Sequence, residues 1–181
     1  MKKLLNKLII IEFEDKKSEK GILIDYNKDW LLIKANPVDF VLDGYSIVKN
    51  FKVKNIVTND ETKFAEKAIK LKGIKIEKKA KIPLQNFDKI IENINKNFGI
   101  FSLTKKNNDA IYPGKLKKIN HDKIVITWID LHATWTNKRE FKKDKIRVIE
   151  FNNDYLTSLK LVADSKLIAT TNTLLTKSEF N

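Results

Sequence analysis

The sequence predicts a mainly β protein with an α-helical insert, an α+β chain built as two related small five-stranded barrels. Three observations carry that expectation. Apolar runs of about five residues, punctuated by Gly, Asn, Asp and Pro, fill residues 8–57 and return from residue 110, as short antiparallel strands require. The pattern Gly21-x-Leu23-x-x-x-Asn27-x-Asp29-x-Leu31-x-Ile33 recurs without gaps as Gly114-x-Leu116-x-x-x-Asn120-x-Asp122-x-Ile124-x-Ile126, the mark of a duplicated unit. Between the copies the apolar period changes from two to three and four, which is helical. The expected layout is a first barrel over residues 1–58, a helical insert with one strand over 59–108, a second barrel over 109–162 and a tail over 163–181.

Leu8 to Phe13 reads as the first strand. The charged residues that follow it, and the lack of a small-residue cleavage site, set the opening Met1-Lys2-Lys3-Leu4-Leu5 apart from a signal peptide. Residues 14–20 read as a polar turn, Gly21 to Tyr26 as a strand, Asn27-Lys28-Asp29 as a tight turn and Trp30 to Lys34 as its partner strand. Gly21 and Gly114 are expected where a strand bends or bulges, since glycine tolerates what a Cβ forbids. Proline 37 breaks the run. Asp43-Gly44, set between Val38–Leu42 and Tyr45–Val48, carries the signal of a hairpin with a type I′ turn, and its structural role outweighs a binding role for Asp43. Phe51 to Val57 completes five strands. With a three-residue shift, Phe51-Lys52 and Ile56 fall on Phe141-Lys142 and Ile146 of the second copy.

Thr58-Asn59-Asp60-Glu61 has the form of a capping box, and Phe64, Ala65, Ala68, Ile69 and Leu71 follow at helical spacing up to Gly73. A lysine-rich connector spans 75–81. A second helix is expected from about Gln85 to Asn97, with Phe87, Ile90, Ile91, Ile94 and Phe98 recurring at three and four and Gly99 as its C-cap. Residues 100–104 read as a strand and 105–109 as a loop. In the second copy, 110–120 and 123–129 read as strands, the segment from Trp128 to Trp135 replaces the Asp-Gly hairpin, and 140–151 gives a strand pair or one long strand. Asn153-Asp154 caps a short helix, and the tail carries the apolar pairs Leu167-Ile168 and Leu174-Leu175.

At the repeated Gly-x-Leu-x-x-x-Asn-x-Asp segment the first copy resembles the Sm-like family, whose first motif has glycine, leucine and an acidic residue at this spacing; SH3-like barrels are a second similarity. The resemblance implies the barrel. It transfers no RNA-binding residue, because Asn27 and Leu31 stand where Sm proteins carry the contacting acid and asparagine, and Lys52 to Ile56 has no Arg-Gly pair. The whole chain also resembles an uncharacterised group of bacterial proteins with two such barrels around a helical insert, which implies architecture and no activity.

Chemistry is sparse in the sequence. The chain has no cysteine, two histidines and five unclustered glycines, so there is no thiolate site, no recognisable metal motif and no phosphate loop. His121 reads as an exposed turn residue, and no nucleophile is tied to His132 by spacing. No catalytic, cofactor or metal residue is assigned, and the chain is read as a non-catalytic binding or accessory protein. Net charge is +13, with Arg139 and Arg147 the only arginines. Lysine, isoleucine and asparagine together are what AT-rich codons favour, so the charge is read first as a solvated surface and second as a polyanion-binding face. A protein partner is the leading expectation, reached through exposed strands or the tail. The alternative is RNA or single-stranded nucleic acid, held by lysines and aromatic rings on a barrel face. Tyr26, Trp30, Trp128, His132 and Trp135 form the candidate interaction surface; each aromatic residue also has a core explanation. No apolar run is long enough to span a membrane, and the cytoplasm is the expected compartment.

Overall fold

The computed structural model describes residues 1–74, 82–106 and 110–178, with side chains described through Ala169. The lysine-rich connector at 75–81, the loop residues 107–109 and the side chains of Leu174-Leu175 therefore lie outside the described residues. Ten strands, β1 (Leu8–Phe13), β2 (Ser18–Tyr26), β3 (Trp30–Ala35), β4 (Tyr45–Lys49), β5 (Val53–Val57), β6 (Phe101–Lys105), β7 (Ile111–Ile119), β8 (Lys123–Ile129), β9 (Trp135–Lys142) and β10 (Ile146–Phe151), form a single antiparallel sheet. Its order is β5-β1-β2-β3-β4-β10-β6-β7-β8-β9. The mainly β class with helices between strand groups is as expected, and the strands are organised as one open sheet. The strand expected at 100–104 is β6, hydrogen-bonded to β7 and β10.

The two strand groups use the same local geometry. Gly21 lies opposite Ala35 and Leu23 opposite Ile33, with a register shift before Asp25 meets Leu32. Gly114 lies opposite Trp128 and Leu116 opposite Ile126, with the same shift before Lys118 meets Val125. The bulge therefore sits beyond each glycine. What the glycines provide is room: a Cβ at Gly21 would meet the Lys34 carbonyl oxygen at 2.5 Å, and one at Gly114 the Thr127 carbonyl oxygen at 2.6 Å, distances that backbone atoms cannot relax cheaply. The turns match as well, Asn27 N–H donating to the Trp30 carbonyl and Asn120 N–H to that of Lys123, both at 2.9 Å.

One constant offset carries Gly21 onto Gly114, Leu31 onto Ile124, Val48 onto Phe141 and Ile56 onto Ile149, judged by their pairing partners. The three-residue shift expected from Phe51-Lys52 and Phe141-Lys142 is thus corrected. Phe141 pairs with Ile124 as Val48 pairs with Leu31, and ladder register overrides a coincidence of residue type.

Helix α1 (Asp60–Leu71) begins one residue later than the expected box, because Asn59 and Thr62 cap each other reciprocally. Helix α2 (Phe87–Phe98) starts at Asn86, whose side chain accepts the Lys89 N–H, and ends at Gly99 with φ 73°. Its buried face, Phe87, Ile90, Ile91 and Ile94, joins Trp30, Leu32 and Ile47 to Phe101, Leu103, Ile124 and Ile126 in one core. A second core on the other face of β1–β4 gathers Ile9, Ile11, Leu23, Leu31, Ile33 and Val48 with Val148 from β10. Helix α3 (Asp154–Ser178) is far longer than the short helix expected; Leu156, Leu159 and Ala163 pack on Ile100, Ile129 and Ala133.

The Asp43-Gly44 hairpin is corrected too. Strands β3 and β4 pair directly, with Lys34 opposite Tyr45, and residues 36–44 form the loop between them. The buried Asn36 amide organises that loop by donating to the carbonyls of Val38, Asp39 and Val41 at 3.3, 2.9 and 2.7 Å. Gly44 has φ +61°, and a Cβ there would lie 2.7 Å from the Asn153 Cα. The Asp43 carboxylate accepts the Asp154 N–H at 2.9 Å, so this turn seats the start of α3.

Candidate functional site

One group of cations lies where the two strand groups meet and on the adjoining β7–β9 surface. At the end of the seam, Lys106 lies with its Nζ 3.8 Å over the half-exposed Phe51 ring. Its pKa is lowered, first by burial and then by the neighbouring charge of Lys49, with Lys145 and Lys52 adding to the effect and Asp144 opposing it. Four ammonium groups that close raise the local potential and attract an anion. Lys145 also lines a groove of about 470 Å³ with Lys105, Tyr112, Arg139, Glu140, Phe141 and Lys142. Lys105 stands 5.2 Å over Tyr112, and Arg139 stands 5.8 Å over Tyr112 and 4.0 Å over Trp128. On the other side of the seam, Lys49 and Phe51 line a cavity of about 340 Å³ with Lys28, Asp29, Trp30 and Phe87.

Counter-charge is thin along this stripe. Glu140 is held by Lys123 at 2.8 Å, Asp144 by Lys145 at 3.5 Å and Glu14 by Lys52 at 3.4 Å. Among the described residues no carboxylate lies within ion-pair distance of Lys49, Lys105, Lys106, Arg139 or Lys142. Lys49, Lys105, Lys106 and Arg139 instead rest on ring faces, an arrangement that leaves their charge unneutralised by a carboxylate.

A third cavity, about 420 Å³, opens beside the β10 side of the seam between Glu19, Glu150, Arg147 and Phe13. Arg147, 6% exposed, grips Asp15 through both guanidinium nitrogens at 3.1 and 2.5 Å and stacks over Phe13 at 4.3 Å. The hydrogen bonds from Arg147 hold the Asp15 carboxyl below its ordinary pKa. Glu150 accepts a hydrogen bond from Ser102 at 2.8 Å, yet burial raises its pKa. Burial first, and the nearby Glu150 charge second, push Glu19 up to about 7.

The residues expected to form an interaction surface are scattered. Trp30 is buried, its ring 6.3 Å from Phe87, and Tyr26 packs against the first-group core. Trp135 packs against the α3 core while Lys115 covers its ring at 4.2 Å. His132 is exposed in a turn, its N–H donating to Asp130 and its carbonyl accepting from Lys166. Two of the five meet cations of the stripe, Trp128 beneath Arg139 and the buried Trp30 at 5.9 Å from Lys49 Nζ. Tyr112, Phe51 and Arg139 carry no motif in the sequence; the one signal there is Arg139 as one of two arginines in a lysine-dominated chain. Among the described residues no group of three His, Asp or Glu is placed to hold a metal ion, and no helix is long and apolar enough to cross a membrane. No family model matches the chain, and no curated protein or solved structure matches it.

Proposed function

We propose that the chain is a non-catalytic binding protein that holds single-stranded nucleic acid along the seam and the β7–β9 groove. The observation that carries this reading is the stripe of cations set over Phe51, Tyr112 and Trp128. Bases stack on such rings while lysines and an arginine meet the phosphates. The reading treats residues 1–58 and about 100–151 as duplicated five-stranded units of SH3-like or Sm-like order, each with its last strand beside its first. A protein partner is the second reading. It is supported by α3, where Leu161, Val162, Leu167 and Ile168 are 66, 47, 54 and 62% exposed.

A fluorescence-anisotropy titration with a labelled oligothymidylate tests the first reading. Binding should weaken steeply with salt. The triple variant Lys105→Ala, Arg139→Ala, Lys142→Ala should bind at least tenfold more weakly, whereas Lys63→Ala, Lys67→Ala on the exposed side of α1 should change little. Equal loss in both variants, or no binding at low salt, overturns the reading.

A further inference from the structure

The two strand groups are joined by a contact that the chain makes once, and its outer edges carry the same two kinds of strand. Inside the chain, β4 pairs with β10 as Tyr45↔Phe151, Ser46↔Glu150, Ile47↔Ile149 and Val48↔Val148. By the constant offset, β9 occupies in the second group the place of β4 in the first, and β5 occupies the place of β10. Those are the two edges of the sheet. Strand β9 spans eight residues and covers all four positions of the seam, while β5 covers three, the fourth falling on Thr58 just past its end.

We propose that copies of this chain join head to tail, β9 of one copy pairing antiparallel with β5 of the next in the register of the seam. The offset fixes that register as Lys138↔Thr58, Arg139↔Val57, Glu140↔Ile56 and Phe141↔Asn55. None of these pairs opposes like charges, and Glu140 stands diagonal to Lys54, an attractive cross-strand placement. The unsatisfied backbone groups of two edges pair with each other, which is the driving force for strand addition. The next position sets Lys142 against Lys54, so salt should strengthen the contact, the opposite of its effect on nucleic-acid binding. Because the two surfaces differ, repetition gives a closed ring or an open filament rather than a two-fold dimer.

The absence of cysteine makes the register directly testable in the full chain. Two double variants, Glu140→Cys with Ile56→Cys and Arg139→Cys with Val57→Cys, place thiols at adjacent opposed positions. One of them must be a non-hydrogen-bonded pair, where the two side chains lie closest. Under oxidation that double variant should give a non-reducing ladder of dimer, trimer and higher species. Single variants, and the offset pair Lys138→Cys with Ile56→Cys, should stay monomeric on the gel. In light scattering the unmodified chain should increase in mean mass with concentration and with salt. Loss of the ladder in both doubles, equal cross-linking of the offset or single variants, or a monomer at every concentration overturns the proposal. Association that survives Asn55→Pro and Glu140→Pro overturns it in favour of contact through α3.

Discussion

Strands β3 and β8 share a register and a turn but live in different surroundings. In β3, Trp30, Leu31, Leu32 and Ile33 are buried in succession, whereas β8 alternates, with Ile124 and Ile126 buried and Val125 and Thr127 half-exposed. The first group has a core on each face, one shared with α2 and one with Val148 of β10. The second group fills one face, and α3 covers only part of the other. The same strand geometry can therefore serve as an interior layer or as a half-wetted platform, and the difference lies in what packs outside it. The rings and the arginine of the groove share the filled face: Phe141 pairs with Ile124, Arg139 with Ile126 and Tyr112 with Leu103.

The largest effect expected from this comparison is at the face that α2 fills in the first group and that is half-exposed at Val125 in the second. Leu32→Ala should cost about 3 kcal/mol, as core truncations that leave a cavity do, while Val125→Ala, at the corresponding place, should cost less than about 1 kcal/mol. Urea unfolding of the two variants measures the gap, and equal losses would mean that both groups are covered alike. Next come the glycines. Gly21→Val should destabilise by about 3 kcal/mol and Gly114→Val by about 1 to 2 kcal/mol, since the backbone clash is common to both but only the first strand is walled in on both faces. A reversed order of urea midpoints would break the comparison.

The smallest effect concerns Glu19, which pairs opposite Ile11 where the second group places Tyr112 opposite Leu103. A carboxyl raised to about 7 in the folded protein binds protons that the unfolded chain has already released. Stability should therefore be fullest below the ordinary glutamate range and fall as pH rises through about 7. Glu19→Gln should flatten that fall and gain about 1 to 2 kcal/mol at pH 8, whereas Tyr112→Phe should leave the slope unchanged. Thermal melts between pH 5 and 8 give the slopes.

Much of the fold is legible residue by residue. The run Leu8–Phe13 is a strand with those bounds, and α2 ends at the glycine that its apolar spacing requires. Gly-x-Leu and Asn-x-Asp mark matching ladders because both are local devices, a gap for a neighbouring carbonyl and a tight turn. The seam is not legible. Val48 and Val148 are brought together by backbone pairing, which imposes little on residue type. Asp43-Gly44 misleads for a related reason: the positive φ is real, but it belongs to a longer loop, and what a Cβ there would meet is Asn153, remote in sequence. Of the stripe, Trp128 is visible as an aromatic residue among cations. Phe51 and Lys106 are adjacent only through the fold, so their pairing leaves no spacing to detect.

The seam also bears on how the chain comes off the ribosome. Strand β4 is complete at Lys49, but its partner β10 ends at Phe151, roughly 100 residues and, at ordinary synthesis rates, about 5 to 20 seconds later. Through that interval Ile47 and Val48 lie on an unpaired apolar edge, the kind of surface on which nascent chains mispair. Helices α1 and α2 are synthesised within it and form from local contacts much faster than distant strands meet. Ile47 shares its core with α2, so that helix can shelter the waiting edge until β10 arrives, and slowing or shortening the insert should be felt first as loss of soluble yield.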